Sequence, residues 1–362
     1  MAQRPYTAVL IIPTGIGAAI GGYAGDALPV ARAIAQVADN LITHPNVLNG
    51  AQLYWPLPNA YYVEGYGLDK FAAGRWGLRP VHRNRIGLVL DQAIEDELRW
   101  RHLQAADAAR ATLGLELTDY VVTDAPLGVS LKTAASGATW GTIEQPDSLL
   151  RAVERLIAVG ADAIAVVARF PDDNGSEALQ NYRQGQGVDP LAGAEAVISH
   201  LVVRTFQIPC AHAPALTPLP LDPTLSPKSA AEEIGYTFLP CVLAGLSRAP
   251  QFVRQAPAIA QDVWADQVDA VILPATAFGG SAVMSLSHTK ACIIAVGENT
   301  TTMQVPPEKI GIQAIHVASY LEAIGVMAAH KAGVGIQGWQ GMKCDRTGLP
   351  HISPLKPVTK NL

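Results

Sequence analysis

The sequence predicts an α/β protein in which mainly parallel sheets are flanked by helices, arranged as two Rossmann-like layers or subdomains. Short runs of apolar and β-branched residues recur along the 362-residue chain, and amphipathic stretches separate them. Strands that are apolar at nearly every position are buried on both faces, which is typical of parallel sheets. Strands that alternate with helices in this way indicate the α/β class.

These patterns define the individual elements. The predicted strands are 8–12, 85–90, 120–123, 161–168, 200–206, 269–273, 291–296 and 311–317. The predicted helices are Gln92–Leu113, Ser148–Val159, Pro190–Ser199, Ser229–Leu246, Pro257–Asp266 and Ala318–Ala332. In the first helix, Glu95 and Glu97 each stand four residues before an arginine, Arg99 and Arg101, which is the favourable order for ion pairs on an exposed face.

Two segments interrupt the alternation of strands and helices. Tyr54–Pro80 contains seven aromatic residues and four glycines, and Pro209–Pro227 contains six prolines. We expect neither segment to form a regular helix, and loops of this length are usually lids, binding loops or arms that wrap a neighbour. The chain is predicted to divide near Gln145. The resulting regions are an N-terminal α/β domain with a glycine-rich turn (1–145), a C-terminal α/β domain (146–338) and an extended C-terminal arm (339–362).

Charge is scarce and on balance acidic. Charged residues make up 16% of the chain, against about 25% in an average soluble domain, and 26 basic and 31 acidic residues give a net charge of −5. The mean hydropathy is +0.19, but no apolar run reaches the roughly 18 residues of a membrane span. Basic residues form no cluster, which argues against duplex nucleic acid as a partner. The missing charge predicts surface hidden between subunits, and therefore a homo-oligomer. A compact monomer with an unusually apolar core is the alternative.

Cysteine usage and the first residues predict a reduced, cytoplasmic protein. The four cysteines form no CxxC pair. The segment MAQRPYTAVLII runs directly into a strand, without the successive regions of a signal peptide.

A glycine-rich turn, PTGIGAAIGGYAGD, follows the first predicted strand. Its backbone amides are predicted to hold an anion or a substrate carboxylate, with Thr14, Gly15 and Gly17 as ligand-binding residues. The turn departs from the GxGxxG fingerprint of dinucleotide-binding proteins and lacks the lysine of a P-loop. A purely structural tight turn is the alternative interpretation.

Polar side chains follow several of the predicted strands. Ligands of α/β proteins bind at the carboxyl ends of parallel strands, so these side chains are candidates for a common site. The predicted proton-transfer residues are His44, Asp124, His212 and Glu298. The predicted ligand-binding residues at the same ends are Asn46, Ser281 and Asn299. Cys210, two residues before His212, would face the same side of a strand. Alternatively, such residues cap helices and turns.

Two further segments carry hydroxyl and lysine side chains. Lys132 and Ser136 stand four residues apart, the spacing of one helix face, and the segment 281–290 contains three serines, a histidine and Lys290. A lysine-activated serine and passive anion binding both remain open. No metal site is predicted, because the candidate ligands lack metal-binding spacing: His44, Asp124, His212, His288 and Glu298. The cofactor stays unspecified.

Several longer motifs resemble a family of cyanobacteria and plastids that is described as a domain of unknown function. They are PTGIGAAIGGYAGD, THPNVLNGA, YVEGYGLDKF, SGATWGTIEQPDSLLRA, GADAIAVVARFPDD, GAEAVISHLV with IPCAHAPA, and AVGENTT. The resemblance runs over nearly the whole chain and implies a soluble protein of oxygenic phototrophs. It assigns no catalytic residues.

The sequence therefore predicts an enzyme that acts on a small anionic metabolite bound at the carboxyl ends of the strands, without specifying the reaction. Ionisable residues at several strand ends favour this prediction. The alternative is a noncatalytic metabolite-sensing or assembly protein whose long loops bind partner subunits, which the low charge content favours.

Overall fold

Two all-parallel sheets form the centre of the structure, a computed structural model that describes residues 4–133, 139–173, 175–235, 237–254 and 259–335. The strands are β1 (Thr7–Leu10), β2 (Asn40–Thr43), β3 (Ala60–Tyr62), β4 (Gly77–Arg79), β5 (Ile86–Leu90), β6 (Leu117–Val122), β7 (Val129–Thr133), β8 (Thr139–Ile143), β9 (Ala163–Arg169), β10 (Cys210–Ala215), β11 (Gln251–Val253), β12 (Val268–Pro274), β13 (Cys292–Val296) and β14 (Ile315–Val317). The helices are α1 (Leu28–Ile34), α2 (Pro45–Leu48), α3 (Ala51–Tyr54), α4 (Gly65–Ala72), α5 (Asp96–Leu113), α6 (Pro146–Ala158), α7 (Glu177–Arg183), α8 (Ala192–Phe206), α9 (Pro227–Glu233), α10 (Leu239–Leu246), α11 (Ser281–Leu286) and α12 (Tyr320–Lys331).

The first sheet has six strands in the order β14-β13-β12-β1-β2-β3, and the second has four in the order β10-β9-β5-β6. Neighbouring strands within both sheets are parallel. The pairs β4–β11 and β7–β8 are antiparallel. Parallel strands need long, usually helical crossovers, and helices accordingly separate most of them. The predicted α/β class with mainly parallel sheets is confirmed.

Both sheets take strands from either side of residue 145. The first sheet combines β1–β3 with β12–β14, and the second combines β5 and β6 with β9 and β10. One apolar core joins the sheets, in which Leu10 of β1, Leu90 of β5 and Ala213 of β10 are buried together. The two sheets are therefore not separated by the boundary predicted near Gln145. The predicted arm 339–362 lies outside the described residues.

Helix α10 packs between the two layers. Leu239, Leu243 and Leu246 are fully buried, and the helix contacts β9 and β10 of the second sheet as well as α2 and α3 of the first layer. A helix without a polar face is stable only when protein covers it on all sides. Helix α10 therefore holds the layers together on one side of the space where the candidate site lies.

The run 200–206 is helical, and the prediction of a strand there is wrong. It forms the second half of α8, in which Ile198, Val202 and Val203 are buried. Ile198 and Val202 stand four residues apart, so a helix places both on one face. That face packs against β10 of the second sheet. Tertiary packing thus overrides the β-propensity of the HLVVRTF run.

The segment Tyr54–Pro80 contains regular structure, contrary to the prediction. It forms β3, α4 and β4. Tyr62, Phe71 and Trp76 are buried in it. These three side chains are covered by the core of the chain itself, whereas Tyr54 and Trp55 at the start of the segment are exposed.

Two predicted helices differ from the structure. Ser229–Leu246 is split into α9 and α10, because Gly235 adopts a φ of +80°, a left-handed conformation that ends a helix. Within Pro257–Asp266, the described residues 259–266 contain only the start of a single 3-10 turn, Ala265–Gln267.

The predicted ion pairs of α5 are confirmed in one case. Arg101 lies 2.6 Å from Glu97, as predicted. Arg99 pairs with Asp96, three residues before it, and not with Glu95, four residues before it. Glu95 instead contacts Arg169 at the end of β9. Helix spacing predicted the exposed pair Glu97–Arg101. The partner of Glu95 lies on another element, so it depends on the tertiary fold.

Candidate functional site

A cavity of about 1250 Å³, here called the central cavity, lies between the two layers. Its walls come from residues that follow β2 and β3 in the first layer and from α8 and β10 in the second. Helices α5 and α9 and the proline-rich loop 214–220 complete it. The side chains in its wall that carry ionisable or hydroxyl groups include His44, Glu64, Asp189, Glu195, Ser199, His200, His212 and Glu232.

Glu64 caps helix α4 and also holds a histidine of the opposite layer. Its Oε2 accepts hydrogen bonds from the amides of Tyr66 (2.8 Å) and Gly67 (3.3 Å). Its Oε1 lies 3.2 Å from Nδ1 of His200 on α8. Glu64 is only 4% exposed, and burial raises the pKa of its carboxyl, while His200 and the two amides act in the opposite direction. The contact ties the first layer to α8 across the cavity.

His212 lies in β10 with both ring nitrogens close to side chains of α8. Its Nδ1 is 3.1 Å from Oγ of Ser199, and its Nε2 is 3.7 Å from Oε2 of Glu195. Glu195 and Ser199 stand four residues apart, so α8 presents both on one face. An imidazole placed between a hydroxyl and a carboxylate in a cavity wall is suited to taking up and releasing a proton.

Cys210 lies on the same strand as His212, as predicted, but it is not a nucleophile in this arrangement. The side chain is buried at 1% exposure. Burial raises the pKa of the Cys210 thiol well above its ordinary value, with the nearby Glu64 carboxylate adding to the shift. A thiol without access to its thiolate form is chemically inert.

His44 is a neutral imidazole at the wall of the cavity. It precedes α2, and its Nε2 accepts a hydrogen bond from the amide of Ile12 at 3.2 Å. An accepting Nε2 leaves the proton of the neutral ring on Nδ1. Burial lowers the pKa of His44 to about 4. His44 is therefore a hydrogen-bond donor without a charge at neutral pH.

Three carboxyl groups gather on another side of the cavity and are here called the carboxylate cluster: Asp189, Glu195 and Glu232. Glu232 accepts hydrogen bonds from the Tyr182 hydroxyl (2.8 Å) and the Ala24 amide (2.6 Å). Burial, reinforced by repulsion from Glu195, raises the pKa of Asp189 to about 7. Burial and Asp189 also raise the pKa of Glu232. Asp189 and Glu232 therefore hold protons more tightly than exposed carboxylates do.

The structure brings five of the sequence-predicted residues to the central cavity: Thr14, His44, Asn46, His212 and Ser281. Asn46 donates a hydrogen bond from Nδ2 to the Gly21 carbonyl (2.8 Å) and thereby also holds the glycine-rich turn. Ser281 is the first residue of α11 and is exposed. These residues come from the first layer except His212, which faces them from β10.

Two predicted proton-transfer residues are engaged elsewhere and do not line the cavity. Asp124 accepts hydrogen bonds from Ser148 and from Arg151, the latter at 2.7 Å. Arg151 and Ser148 hold the pKa of Asp124 well below its usual range. Glu298 accepts a hydrogen bond from the Tyr320 amide at 2.7 Å, at the start of α12. Asp124 thus binds side chains of α6, and Glu298 binds a backbone amide at the start of α12.

Two further predicted ligand-binding residues, Lys132 and Lys290, also lie outside the cavity lining. Lys132 belongs to strand β7 and not to a helix, and its Nζ lies 4.8 Å from the Trp140 ring centre. Ser136, predicted to share a helix face with Lys132, falls outside the described residues. Lys290 is exposed in the loop before β13.

The glycine-rich turn is bound to other parts of the protein. Gly15 and Gly17 have left-handed φ values of +73° and +58°. The amides of Ala19 and Gly25 donate to the carbonyls of Thr300 and Asn46. These backbone bonds fix the conformation of the turn.

Sequence reasoning did not find Glu64, Asp189, Glu195, Ser199, His200 and Glu232. A signal was present in GAEAVISHLV, where Glu195 and Ser199 share a helix face with buried apolar residues. Within the described ranges, no group of three or more His, Cys, Asp or Glu side chains is arranged to hold a metal ion.

The comparisons with known proteins agree with the resemblance seen in the sequence. The chain is 64% identical over 334 residues to an uncharacterized lipoprotein of Synechococcus sp., covering 92% of this chain and 93% of that protein. No solved structure shows a significant match. In the part of the chain that the structure describes, no helix combines the length and the apolar character needed to cross a membrane. The family model for the protein of unknown function DUF3326 matches residues 7–340, and the chain therefore belongs to the DUF3326 family.

Proposed function

We propose that this protein is an enzyme that transfers protons to and from a small metabolite bound in the central cavity. The observation that carries the proposal is the position of His212, whose ring lies in the cavity wall between Ser199 and Glu195. A histidine oriented by a second side chain is the common arrangement of a general base or acid. His212 is the residue that we assign to proton transfer.

His44 has a different role in this proposal. A neutral imidazole that donates a hydrogen bond stabilises negative charge as it develops on a substrate oxygen. The low pKa of His44 keeps the ring neutral at physiological pH, because burial disfavours its charged form. Glu64 and His200 then act as a pair that positions α4 against α8 at the base of the site.

The metabolite retains an anionic group in our proposal, in line with the sequence prediction. Thr14 and the neutral donor His44 in the cavity wall are suited to bind it. The many carboxyl groups of the wall disfavour a ligand with several negative charges. A metabolite with a single anionic group is therefore the proposed class.

The second candidate function is noncatalytic metabolite binding. It is favoured by the fact that Glu64 and Asn46 both have structural partners, namely the α4 amides and the Gly21 carbonyl. Sensing requires only the cavity and a ligand-dependent change in stability or assembly. The cytoplasmic location also stays a proposal, since the Synechococcus relative is named a lipoprotein.

A metabolite extract of a cyanobacterium separates the two functions. Wild-type protein is incubated with the extract, and the compounds that are depleted or formed are followed by mass spectrometry. We expect conversion by wild type, and a loss of about 100-fold or more in rate for His212→Asn. The exposed His82→Asn variant is the matched control. Retention of a compound without conversion supports sensing, and equal conversion by His212→Asn contradicts the assigned role.

A further inference from the structure

The central cavity is strongly acidic. Eight Asp and Glu residues line it, against two arginines and no lysine among the described residues. Both arginines have acidic partners of their own: Arg183 lies 2.8 Å from Glu233, and Arg101 lies 2.6 Å from Glu97. The positive charges of the wall are thus already paired. Of its acidic residues, Asp172 and Glu233 have arginine partners, whereas Glu64 and Glu195 contact histidines.

Glu195 and Glu232 lie in this wall without a basic side chain of Lys or Arg within ion-pair distance in the described part of the chain. Glu195 contacts only the ring of His212, and Glu232 is held by the Tyr182 hydroxyl and the Ala24 amide. Carboxyl groups gathered in one place repel each other once ionised, and they favour either protons or a cation. Repulsion from Glu195 adds to burial in raising the pKa of Asp189 to about 7, as expected for carboxyl groups gathered in one place.

A second observation points to a ligand independently of the carboxylates. His44 is 8% exposed, and it lines the same cavity. Its Nε2 is used by the Ile12 amide, and no described residue provides a hydrogen-bond partner for Nδ1. A nearly buried donor without a protein partner on its cavity side is suited to an acceptor oxygen of a bound molecule.

We propose that the molecule bound in the central cavity carries a protonated amine, held by Glu195 and Glu232, and an oxygen acceptor that meets His44. This inference rests on the proposed function and names its substrate class, an amino-acid-like zwitterion. The ammonium group supplies the positive charge that Glu195 and Glu232 do not receive from any Lys or Arg side chain of the described residues. A single carboxylate or carbonyl meets the neutral donor. The ligand thereby has the single anionic group that the acidic wall tolerates.

Three five-carbon probes test the inference by titration calorimetry of the intact protein: 5-aminopentanoate, pentane-1,5-diamine and glutarate, at equal ionic strength. We expect 5-aminopentanoate to bind at least about tenfold more tightly than glutarate. Its binding should release protons, measured in two buffers of different ionisation enthalpy, because an ammonium group lowers the pKa of the carboxyls that hold it. Tighter binding of glutarate, equal binding of the two, or no binding of either amine overturns the proposal.

Two glutamate variants test whether the preference for 5-aminopentanoate over glutarate depends on the carboxylate cluster. Glu232→Gln and Glu195→Gln each should weaken 5-aminopentanoate binding by about tenfold while glutarate is unaffected or binds better. The exposed Glu154→Gln removes one charge from α6 as a matched control. His44→Gln should weaken 5-aminopentanoate but leave the diamine unchanged. Thermal unfolding confirms that each variant is folded, and unchanged affinities in both glutamate variants contradict the assignment.

The two proposals fail separately. Binding of 5-aminopentanoate with proton release, but without conversion of any metabolite, supports the amine-binding site and contradicts the proposed enzymatic function. Conversion that depends on His212, together with the absence of amine binding, contradicts the amine site and leaves the enzyme standing.

Discussion

Asn299 and Ile20 form a reciprocal pair of hydrogen bonds between the loop after β13 and the glycine-rich turn. Asn299 Oδ1 accepts from the Ile20 amide at 2.9 Å, and Asn299 Nδ2 donates to the Ile20 carbonyl at 2.8 Å. Nδ2 also donates to the Tyr320 hydroxyl at 2.8 Å. At 1% exposure the amide has no access to water. The Asn299 side chain therefore pairs with the backbone groups of Ile20 in the way that a neighbouring strand pairs with a strand in a sheet.

Asn299→Ala should destabilise the protein by about 3 kcal/mol, because it leaves the partly buried amide and carbonyl of Ile20 without their side-chain partner. Urea unfolding followed by circular dichroism measures the change. Gln104→Ala, on the exposed face of α5, is the control and should shift stability by less than about 0.5 kcal/mol. A similar small shift for both variants would show that the pair does not stabilise the fold.

Gly25→Ala should be far more destabilising than Gly74→Ala, although both glycines have left-handed φ values, +78° and +67°. A Cβ on Gly25 would lie 2.2 Å from the Asn49 carbonyl oxygen, whereas nothing lies within 4 Å of one on Gly74. We expect a loss of about 1 kcal/mol for Gly74→Ala and at least about 3 kcal/mol for Gly25→Ala. Chemical unfolding gives both values, and equal losses contradict the steric argument.

His44 should make stability fall on acidification. Its pKa is lowered by burial from 6.5 to about 4 in the folded protein, so between these pH values the unfolded chain binds a proton that the folded protein does not. Stability is then complete above pH 6.5 and is lost as the pH falls towards 4, by up to about 3 kcal/mol. The difference in unfolding free energy between wild type and His44→Gln, measured at pH 7 and pH 4.5, should shrink accordingly.

The surface variant His82→Gln serves as the control for His44, since it removes an exposed imidazole. A difference between wild type and His44→Gln that stays constant from pH 7 to pH 4.5 would mean that the ring is not buried in a neutral form.

Asp189 should have the opposite effect. Its pKa is raised to about 7 by burial and by Glu195, so between pH 4 and pH 7 the folded protein keeps a proton that the unfolded chain releases. Wild type should therefore lose stability relative to Asp189→Asn as the pH rises through this interval, on the order of 2 kcal/mol. Unfolding titrations at pH 4.5, 6 and 7.5 test this, with the exposed Asp119→Asn as control. A gain of wild-type stability over the same interval contradicts the raised pKa.

The protein should form a homo-oligomer, as its low charge content predicts. Leu221 is 99% exposed in the proline-rich segment that we assigned to subunit contacts. Light scattering should give a multiple of 38.2 kDa, and Leu221→Asp should shift the mass towards the monomer. Leu321→Asp, 78% exposed on α12, is the control. A mass of one chain at all concentrations contradicts the oligomer, and equal effects of both variants contradict the interface.

The run 200–206 illustrates why some elements could not be predicted from local pattern. Val202 and Val203 favour a strand when judged by side-chain type. They become helical because the preceding residues of α8 already present Ile198 to the second sheet, and continuing the helix adds Val202 to the same buried face. The choice depends on a surface that local sequence does not contain.

In the candidate site too, local sequence predicted some residues, whereas others are brought there only by tertiary packing. His44 and His212 were selected because ligands of α/β proteins bind at the carboxyl ends of parallel strands, and both reach the central cavity. His44 follows β2 as expected, whereas His212 lies inside β10. Asp124 has the same local signature, yet its partner is Arg151 of α6. Glu64 was missed because it looks like a helix cap, which it is, and its contact with His200 arises only when α4 and α8 pack together.

The sequence by itself determined the α/β class, the parallel character of the sheets and the family, because apolar periodicity and long motifs are local properties of the chain. Only the tertiary structure decided that strands from both ends of the chain form one sheet, and that Glu64, Glu195 and Glu232 meet His44 and His212 around one cavity. These residues come from elements up to about half the chain apart. Their proximity depends on how β3, β10 and α8 pack across a shared core. Burial in that packing keeps His44 neutral and raises the pKa of Asp189 and Glu232.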